Sequence, residues 1–255
     1  MGTAKDLPLA SRTMPRRLLL VSNSTMHGRT YLEHVMDALR EQLRGVQRLL
    51  FVPWALADHD AYATKAAPAF ASLGIRLESL HQAPNPLAAI GAAQAVFVGG
   101  GNTFRLLDRL HRSGAAAAIA ARALDGMPYV GSSAGTNVAT RSIRTTNDMP
   151  IVMPPTLTAL GLVPFQVNPH YLDPDPASTH MGETREERIR QFHEEDATPV
   201  LGLREGAWLE VTGTRCMLRG TTGGRIFERG KPARDVAAGH DLSDWMQAEL
   251  RSDMR

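Results

Sequence analysis

The residues best suited to chemistry lie in one short stretch, where Ser133 stands between two glycines. Gly131, Ser133 and Gly135 form the pattern Gly-x-Ser-x-Gly, which follows the apolar residues Tyr129 and Val130. In such a pattern the serine occupies a sharp turn between a strand and a helix, and the backbone packs too closely for side chains at the flanking positions. The sequence therefore predicts that Ser133 is a nucleophile at the start of a helix.

A nucleophilic serine needs a base, and His170 is the best candidate among the nine histidines. It follows Asn-Pro at the end of an expected strand, where a histidine would face the edge of the sheet. A carboxylate must then orient the imidazole. Asp148, which lies between Ser133 and His170 in the sequence, and Glu205 are the two candidates, and the residues alone leave open whether Asp148 serves only in a turn or His170 only at the surface.

The glycines before Asn102 are candidates for binding negative charge. Gly99-Gly100-Gly101 lacks the spacing of nucleotide-binding loops, so phosphate binding is weakly supported. With the amide of Ala134, the amides of Gly100 or Gly101 would instead complete an oxyanion hole.

Arg185, at the start of an amphipathic helix, would bind a substrate carboxylate through its planar fork, unless it is simply a surface arginine. No set of histidines, cysteines and carboxylates has the spacing of a metal site, so the sequence predicts no metal and no cofactor.

The elements that must position these groups alternate between strand and helix. Short apolar runs at 17–22, 47–52, 75–80 and 95–98, and Tyr129-Val130 before Gly131, predict buried strands. Helical spacing between them predicts helices at 30–44, 58–73, 86–94 and 115–124, and a further helix that contains Leu106, Leu107 and Leu110. Such units form a mostly parallel sheet with helices on both faces, and ligands bind at the carboxyl ends of its strands. After Ser133 we expect a strand at 163–167, a helix at 185–195, short antiparallel strands between 200 and 228, and a last helix at 242–250.

Composition narrows the class of protein. The 255 residues include 28 basic and 26 acidic side chains and show no basic cluster, which argues against nucleic-acid binding. No apolar run approaches the length of a membrane span, and the single Cys216 fits a reducing compartment such as the cytoplasm. Residues 1–15 are expected to form a disordered extension, and residues 16–255 a single α/β domain.

Eight segments, in order along the chain, resemble the peptidase E family, the aspartyl dipeptidases among serine peptidases. They lie at 20–25, 85–90, 98–104, 131–137, 143–151, 167–170, 182–189 and 202–206. The resemblance implies a flavodoxin-like fold related to class I glutamine amidotransferases, with serine in place of the usual cysteine. It also implies a triad of Ser133, His170 and Asp148.

The family resemblance further implies cleavage of dipeptides whose first residue is aspartate, without a metal. The sequence does not fix the oligomeric state, and we expect a monomer or homodimer that has a small peptide as its partner. Arg185 matches the arginine expected to bind the aspartate side chain, Glu205 matches another acidic position near the site, and Asn102 belongs to a shared segment. Two positions depart from the family pattern: Ser132 replaces the usual tryptophan, and Thr136 replaces a smaller residue. Both differences leave the substrate range of the pocket in question.

Two other functions remain possible from the sequence. A cyanophycinase-like hydrolase has the same serine turn and acts on peptides with an aspartate backbone. A non-catalytic module that binds a small anion at Gly99 to Asn102 would need no nucleophile.

Overall fold

The computed structural model describes residues 14–175, 177, 179 and 181–252. Residues 1–13 of the expected extension lie outside the described residues. The strands are β1 Arg17–Val21, β2 Arg48–Val52, β3 Arg76–Ser79, β4 Val96–Val98, β5 Tyr129–Ser132, β6 Gln166–Tyr171, β7 Val200–Arg204, β8 Ala207–Thr212, β9 Arg215–Gly220, β10 Gly224–Phe227 and β11 Arg234–Val236. The helices are α1 Met36–Gln42, α2 His59–Ala71, α3 Pro86–Ala92, α4 Thr103–Arg112, α5 Ala115–Leu124, α6 Ala134–Asn137, α7 Arg185–Glu195 and α8 Ser243–Ser252.

The main sheet has seven strands in the order β3-β2-β4-β5-β1-β8-β9. The first five of these are parallel, and β8 and β9 continue the sheet in antiparallel pairing. The inner strands β1, β2 and β4 are apolar over most of their length because both faces are covered, whereas the edge strand β3 (Arg-Leu-Glu-Ser) is partly exposed. In β1, for example, Leu18 and Leu20 pack into one core cluster while Leu19 and Val21 pack into the other. The expected parallel α/β fold is confirmed.

A second sheet of four strands, in the order β11-β10-β7-β6, stands beside the first. The expectation that the C-terminal strands are antiparallel holds for β8, β9 and β10, whereas β7 pairs parallel to β6. A strand that the sequence did not predict, β11, pairs antiparallel with β10. A separate small core of Tyr171, Ile189, Phe192, Val200 and Phe227 packs against this second sheet. The sequence pattern did not predict that the C-terminal strands divide between two sheets.

Two predicted elements differ from the observed ones by more than a few residues. The helix expected from Thr30 to Arg44 is a 3-10 turn, Glu33–Val35, followed by the shorter α1. Leu32 has a left-handed backbone (φ 59°) and donates its amide to Ser24 at 2.7 Å, which keeps the preceding residues in a loop. The strand expected to end at Val167 continues to Tyr171.

No helix in the described part of the chain has both the length and the apolar character needed to cross a membrane.

Candidate active site

Ser133 occupies the sharp turn that the sequence predicts, between β5 and α6. Its φ of 54° and ψ of −111° are unusual for a residue with a side chain and cost free energy that the surrounding packing must offset. A Cβ on Gly131 would lie 2.5 Å from the carbonyl oxygen of Gly135, and one on Gly135 would overlap the Val98 carbonyl. Glycine is therefore required on both sides of Ser133 for steric reasons.

His170 reaches Ser133 from the second sheet. The register of β6 with β7 shifts between Pro169 and Tyr171, so His170 lies in a bulge, with φ 53°. Its backbone amide donates to Ser22 Oγ at 2.9 Å, and its Nε2 accepts from Ser133 Oγ at 2.9 Å. The bulge directs the imidazole toward the nucleophile, as bulges beside active sites often do.

Glu205 lies on the other side of the imidazole. His170 Nδ1 donates to Glu205 Oε1 at 2.6 Å. The turn that carries Glu205 is fixed by two hydrogen bonds, from Gly206 N to Asn23 Oδ1 at 2.9 Å and from Thr222 Oγ1 to the Glu205 carbonyl at 2.7 Å. Ser133, His170 and Glu205 therefore form a continuous hydrogen-bonded chain.

The structure does not place Asp148 against His170, contrary to the expected triad. Asp148 Oδ2 instead accepts from the Thr103 amide at 2.7 Å, from Thr103 Oγ1 at 2.6 Å and from Thr146 Oγ1 at 3.3 Å. The physical reason is the first turn of α4, whose amides have no partner within the helix and attract a carboxylate. Order along the sequence gave no information about this competing partner.

The predicted oxyanion groups differ in their availability. The Gly100 amide donates to Tyr62 Oη at 2.8 Å in a buried bond and is therefore already occupied. The amides of Gly101 and Ala134 donate to no acceptor among the residues that the structure describes. Asn102 is also engaged, because it caps α4 through Oδ1 and donates from Nδ2 to the Met149 carbonyl at 2.9 Å.

A pocket of about 430 Å³ opens above the nucleophile. Its lining combines hydroxyl, amide and charged groups with few apolar ones: Thr103, Ser133, Ala134, Asn137, Thr146, Asn147, Asp148, Pro169, His170, Leu172, Arg185 and Glu205. Such a lining suits a small polar ligand that carries charge.

Arg185 is the cation of this pocket. It is half-buried at the first position of α7, directly after Thr184, which forms a capping box with Glu187. Burial, and then Arg188, lowers the pKa of Arg185, whereas the Asp148 carboxylate opposes that shift. No carboxylate within the described residues forms an ion pair with Arg185, so its fork remains available to an anion.

Several pocket residues were not found from the sequence. Thr103, Thr146 and Asn147 hold Asp148 and the loop around it, and nothing in their spacing distinguished them from ordinary turn residues. Ser22, which accepts from the His170 amide, directly follows β1. Its place at the carboxyl end of a parallel strand could have identified it from the sequence as a residue near the site. Neither Ser132 nor Thr136 lines the pocket, since both side chains are buried within the fold.

No cluster of three or more histidine, cysteine, aspartate or glutamate side chains in the described part of the chain has the arrangement to hold a metal ion.

Comparison with known proteins places the chain beside a group of peptidases. The family model described as peptidase family S51 matches residues 18–219. Peptidase E of Streptomyces coelicolor is 57% identical over 227 residues, which cover 89% of this chain and 93% of that protein. A Drosophila melanogaster protein named "Probable alpha-aspartyl dipeptidase" is 47% identical, over 91% of this chain and 98% of its own length.

A solved structure supports the fold. The crystal structure of a peptidase from an acI-B1 Actinobacterium has a TM-score of 0.66 with 17% identity, and the match covers 90% of this chain and 97% of that one.

Proposed function

The chain belongs to peptidase family S51 and is a serine-type dipeptidase, and we propose that Ser133, His170 and Glu205 cleave dipeptides that begin with aspartate. The observation that carries this proposal is the hydrogen-bonded chain from Ser133 to Glu205 beside a pocket whose arginine forms no ion pair with any carboxylate of the described residues.

In the first step, Ser133 Oγ attacks the peptide carbonyl carbon while His170 Nε2 accepts the hydroxyl proton. Glu205 holds the proton of Nδ1, which keeps Nε2 in its accepting form and stabilises the imidazolium that results. The carbonyl oxygen becomes an oxyanion, and the amides of Gly101 and Ala134 donate to it.

In the second step, His170 transfers its proton to the nitrogen of the leaving amino acid, and the C–N bond breaks. The aspartyl group remains as an ester of Ser133. A water molecule then attacks this ester with His170 again accepting a proton, and aspartate leaves as Ser133 regains its hydrogen.

Two opposite charges in the pocket match the two charged groups of an N-terminal aspartate. The Arg185 guanidinium would bind the β-carboxylate through paired hydrogen bonds. Asp148 uses Oδ2 for its three internal hydrogen bonds, which leaves Oδ1 to accept from the substrate's α-ammonium group. Asn102 would act only indirectly, by capping α4 and tying it to the loop after Asp148.

The pocket size and the charge pair favour a small peptide as the partner rather than a polymer. Within the cell, the single buried Cys216 suits a reducing compartment, and we infer that the enzyme acts in the cytoplasm as a monomer or homodimer.

A panel of dipeptides tests this proposal. We expect hydrolysis of Asp-Leu, much slower hydrolysis of Asn-Leu and Glu-Leu, and no cleavage of N-acetyl-Asp-Leu, which lacks the ammonium group. Preference for β-aspartyl-arginine over Asp-Leu would instead favour a cyanophycinase-like activity. Failure of a serine-directed fluorophosphonate to label wild-type protein, with no hydrolysis of any substrate, would favour an anion-binding module.

A further inference from the structure

The glycine loop after β4 rests on the phenol of Tyr62. This side chain comes from α2, is 5% exposed and packs edge-on against Phe51, with ring centroids 5.0 Å apart. Its hydroxyl oxygen accepts from the Gly100 amide at 2.8 Å and from Tyr31 Oη at 3.3 Å. Burial raises the pKa of Tyr62 above its ordinary value, so the phenol is neutral at neutral pH.

The same loop touches the nucleophile on its other side. A Cβ on Gly100 would lie 2.9 Å from Ser133 Cβ and 3.4 Å from Ser133 Oγ. A Cβ on Gly99 would lie 2.5 Å from Tyr62 Oη. The loop is therefore held between the phenol below it and Ser133 above it, with no space for a side chain at either glycine.

The bond to Tyr62 also determines where one amide points. Because the Gly100 N–H is directed at the phenol, it cannot donate to an oxyanion at Ser133. The next amide, that of Gly101, has no acceptor among the described residues, and Gly101 has φ 133°, a conformation that favours glycine. Only an ordered loop would hold this amide in place against thermal motion.

We propose that Tyr62 is a positioning residue for the oxyanion hole: by accepting from Gly100 it fixes the loop so that Gly101, with Ala134, donates to the oxyanion. This proposal rests on the proposed function, because it presumes acyl transfer at Ser133. Tyr62 itself does not touch the substrate. Its hydroxyl acts through the loop, and its effect is specific to the charge that develops in the transition state.

The test is Tyr62→Phe, which keeps the ring and removes the acceptor. Loss of an oxyanion donor typically lowers kcat by about 10²–10³-fold, and a donor that is only less well positioned should lower it by about 10- to 100-fold. We expect the KM for Asp-Leu and the Kd for the product aspartate to stay within about two-fold of wild type. The affinity for an aspartyl aldehyde, which forms an oxyanion on Ser133, should fall by the same factor as kcat.

Tyr31→Phe is the matched control, since it removes a neighbouring phenol hydroxyl and leaves the Tyr62–Gly100 bond in place. It should keep kcat within about three-fold of wild type. A kcat for Tyr62→Phe within two-fold of wild type would overturn the proposal, and so would an equal loss of affinity for aspartate and for the aldehyde.

Wild-type and Ser133→Ala proteins in the same assays separate this inference from the proposed function. If wild type does not hydrolyse Asp-Leu, or if Ser133→Ala retains activity, the proposed function fails. If both behave as proposed and Tyr62→Phe behaves like wild type, only the role of Tyr62 fails.

Discussion

Within the residues that the structure describes, serine, histidine and carboxylate side chains form two hydrogen-bonded chains, and one of the two has the surroundings of a catalytic site. In the second, Ser79 Oγ donates to His81 Nδ1 at 2.7 Å, and His81 Nε2 donates to Asp60 Oδ1 at 2.9 Å. These distances match those of the first chain, 2.9 Å and 2.6 Å. Both serines also lie at the carboxyl ends of parallel strands of the same sheet, β3 and β5.

The difference lies in the backbone and in the neighbouring groups. Ser79 has ordinary extended angles (φ −99°, ψ 129°) and is 7% exposed at the end of an edge strand. Ser133 has a strained turn and two flanking glycines, and beside it lie two amides and an arginine that have no acceptor or ion-pair partner in the described part of the chain. A serine, a histidine and a carboxylate in hydrogen-bonding order are thus not sufficient for catalysis. The strained turn and the groups that face the substrate distinguish the candidate site.

The largest expected effect comes from removing each serine hydroxyl in turn. Ser133→Ala should lower kcat for Asp-Leu by about 10⁴–10⁶-fold, as loss of a triad nucleophile does in serine proteases. Ser79→Ala should leave kcat within two-fold of wild type, because the serine has no access to substrate. Steady-state hydrolysis of Asp-Leu measures both. Equal losses of kcat in the two variants would show that the two hydrogen-bonded chains do not differ in their role in catalysis.

The next effect concerns the carboxylates. Glu205→Gln should lower kcat by about 10³-fold, because the amide cannot hold the imidazole in its reactive tautomer and stabilise its cation as the carboxylate does. Asp60→Asn, the matched change in the second chain, should not alter kcat.

Asp148→Asn should raise KM more than it lowers kcat, because Asp148 binds the ammonium group of the substrate in the proposed mechanism. A larger loss of kcat in Asp148→Asn than in Glu205→Gln would return the orienting role to Asp148.

A smaller, substrate-dependent effect is expected at Arg185. Arg185→Met should lower kcat/KM for Asp-Leu by about 10²-fold, because truncation of a hydrogen-bonded charge pair commonly costs about 2–5 kcal/mol. The same substitution should lower kcat/KM for Asn-Leu much less. Arg188→Met is the matched control. Arg188 lies about one helical turn after Arg185 in α7, outside the pocket, and forms an ion pair with Glu183. Equal losses for Asp-Leu and Asn-Leu would show that Arg185 does not bind the β-carboxylate.

The sequence predicted the features that depend on local pattern. The turn at Ser133 follows from two glycines between a strand and a helix, and the cap of α3 by Asn85, whose Oδ1 accepts from Ala88 N at 3.0 Å, follows from Asn-Pro. The sequence left the choice between Asp148 and Glu205 open because it depends on contacts between distant segments. Glu205 lies beside His170 only because β7 pairs parallel with β6, a pairing with no local signal. Tyr62, in the first turn of an ordinary helix, was not detectable for the same reason.

The two serines should also differ in their effect on stability. Replacing Ser133 removes activity but should stabilise the fold, whereas replacing Ser79 leaves activity unchanged but should destabilise the fold. Ser133→Gly should raise the free energy of unfolding by about 1 kcal/mol, because glycine adopts positive φ without steric cost. Ser79→Gly should lower it by a similar or larger amount, because a buried hydrogen bond is lost and the chain becomes more flexible in the unfolded state. Urea unfolding of both variants at pH 7.5 tests this. A destabilised Ser133→Gly would mean that the serine turn is not strained.

The smallest expected effect is the contribution of His59 to the pH dependence of folding stability. This residue lies beside the second hydrogen-bonded chain, that of Ser79, His81 and Asp60. Its ring lies 5.1 Å from that of His81, and Arg109 donates to its Nε2, a bond that requires neutral imidazole. Burial, then Arg109 and His81, lowers the pKa of His59 below its ordinary value. In the unfolded chain the ordinary value, about 6.5, is restored, so on acidification the unfolded state takes up the proton first.

The contribution of His59 to stability should therefore be complete above about pH 6.5 and should decline as the pH falls from there toward its lower folded pKa. Unfolding in urea at pH 7.5 and pH 5.5 should show that His59→Gln loses less stability over this interval than wild type. Identical losses would mean that His59 is not held neutral. A reactive histidine must be free to gain a proton during each cycle, whereas His59 is packed against a cation that opposes one.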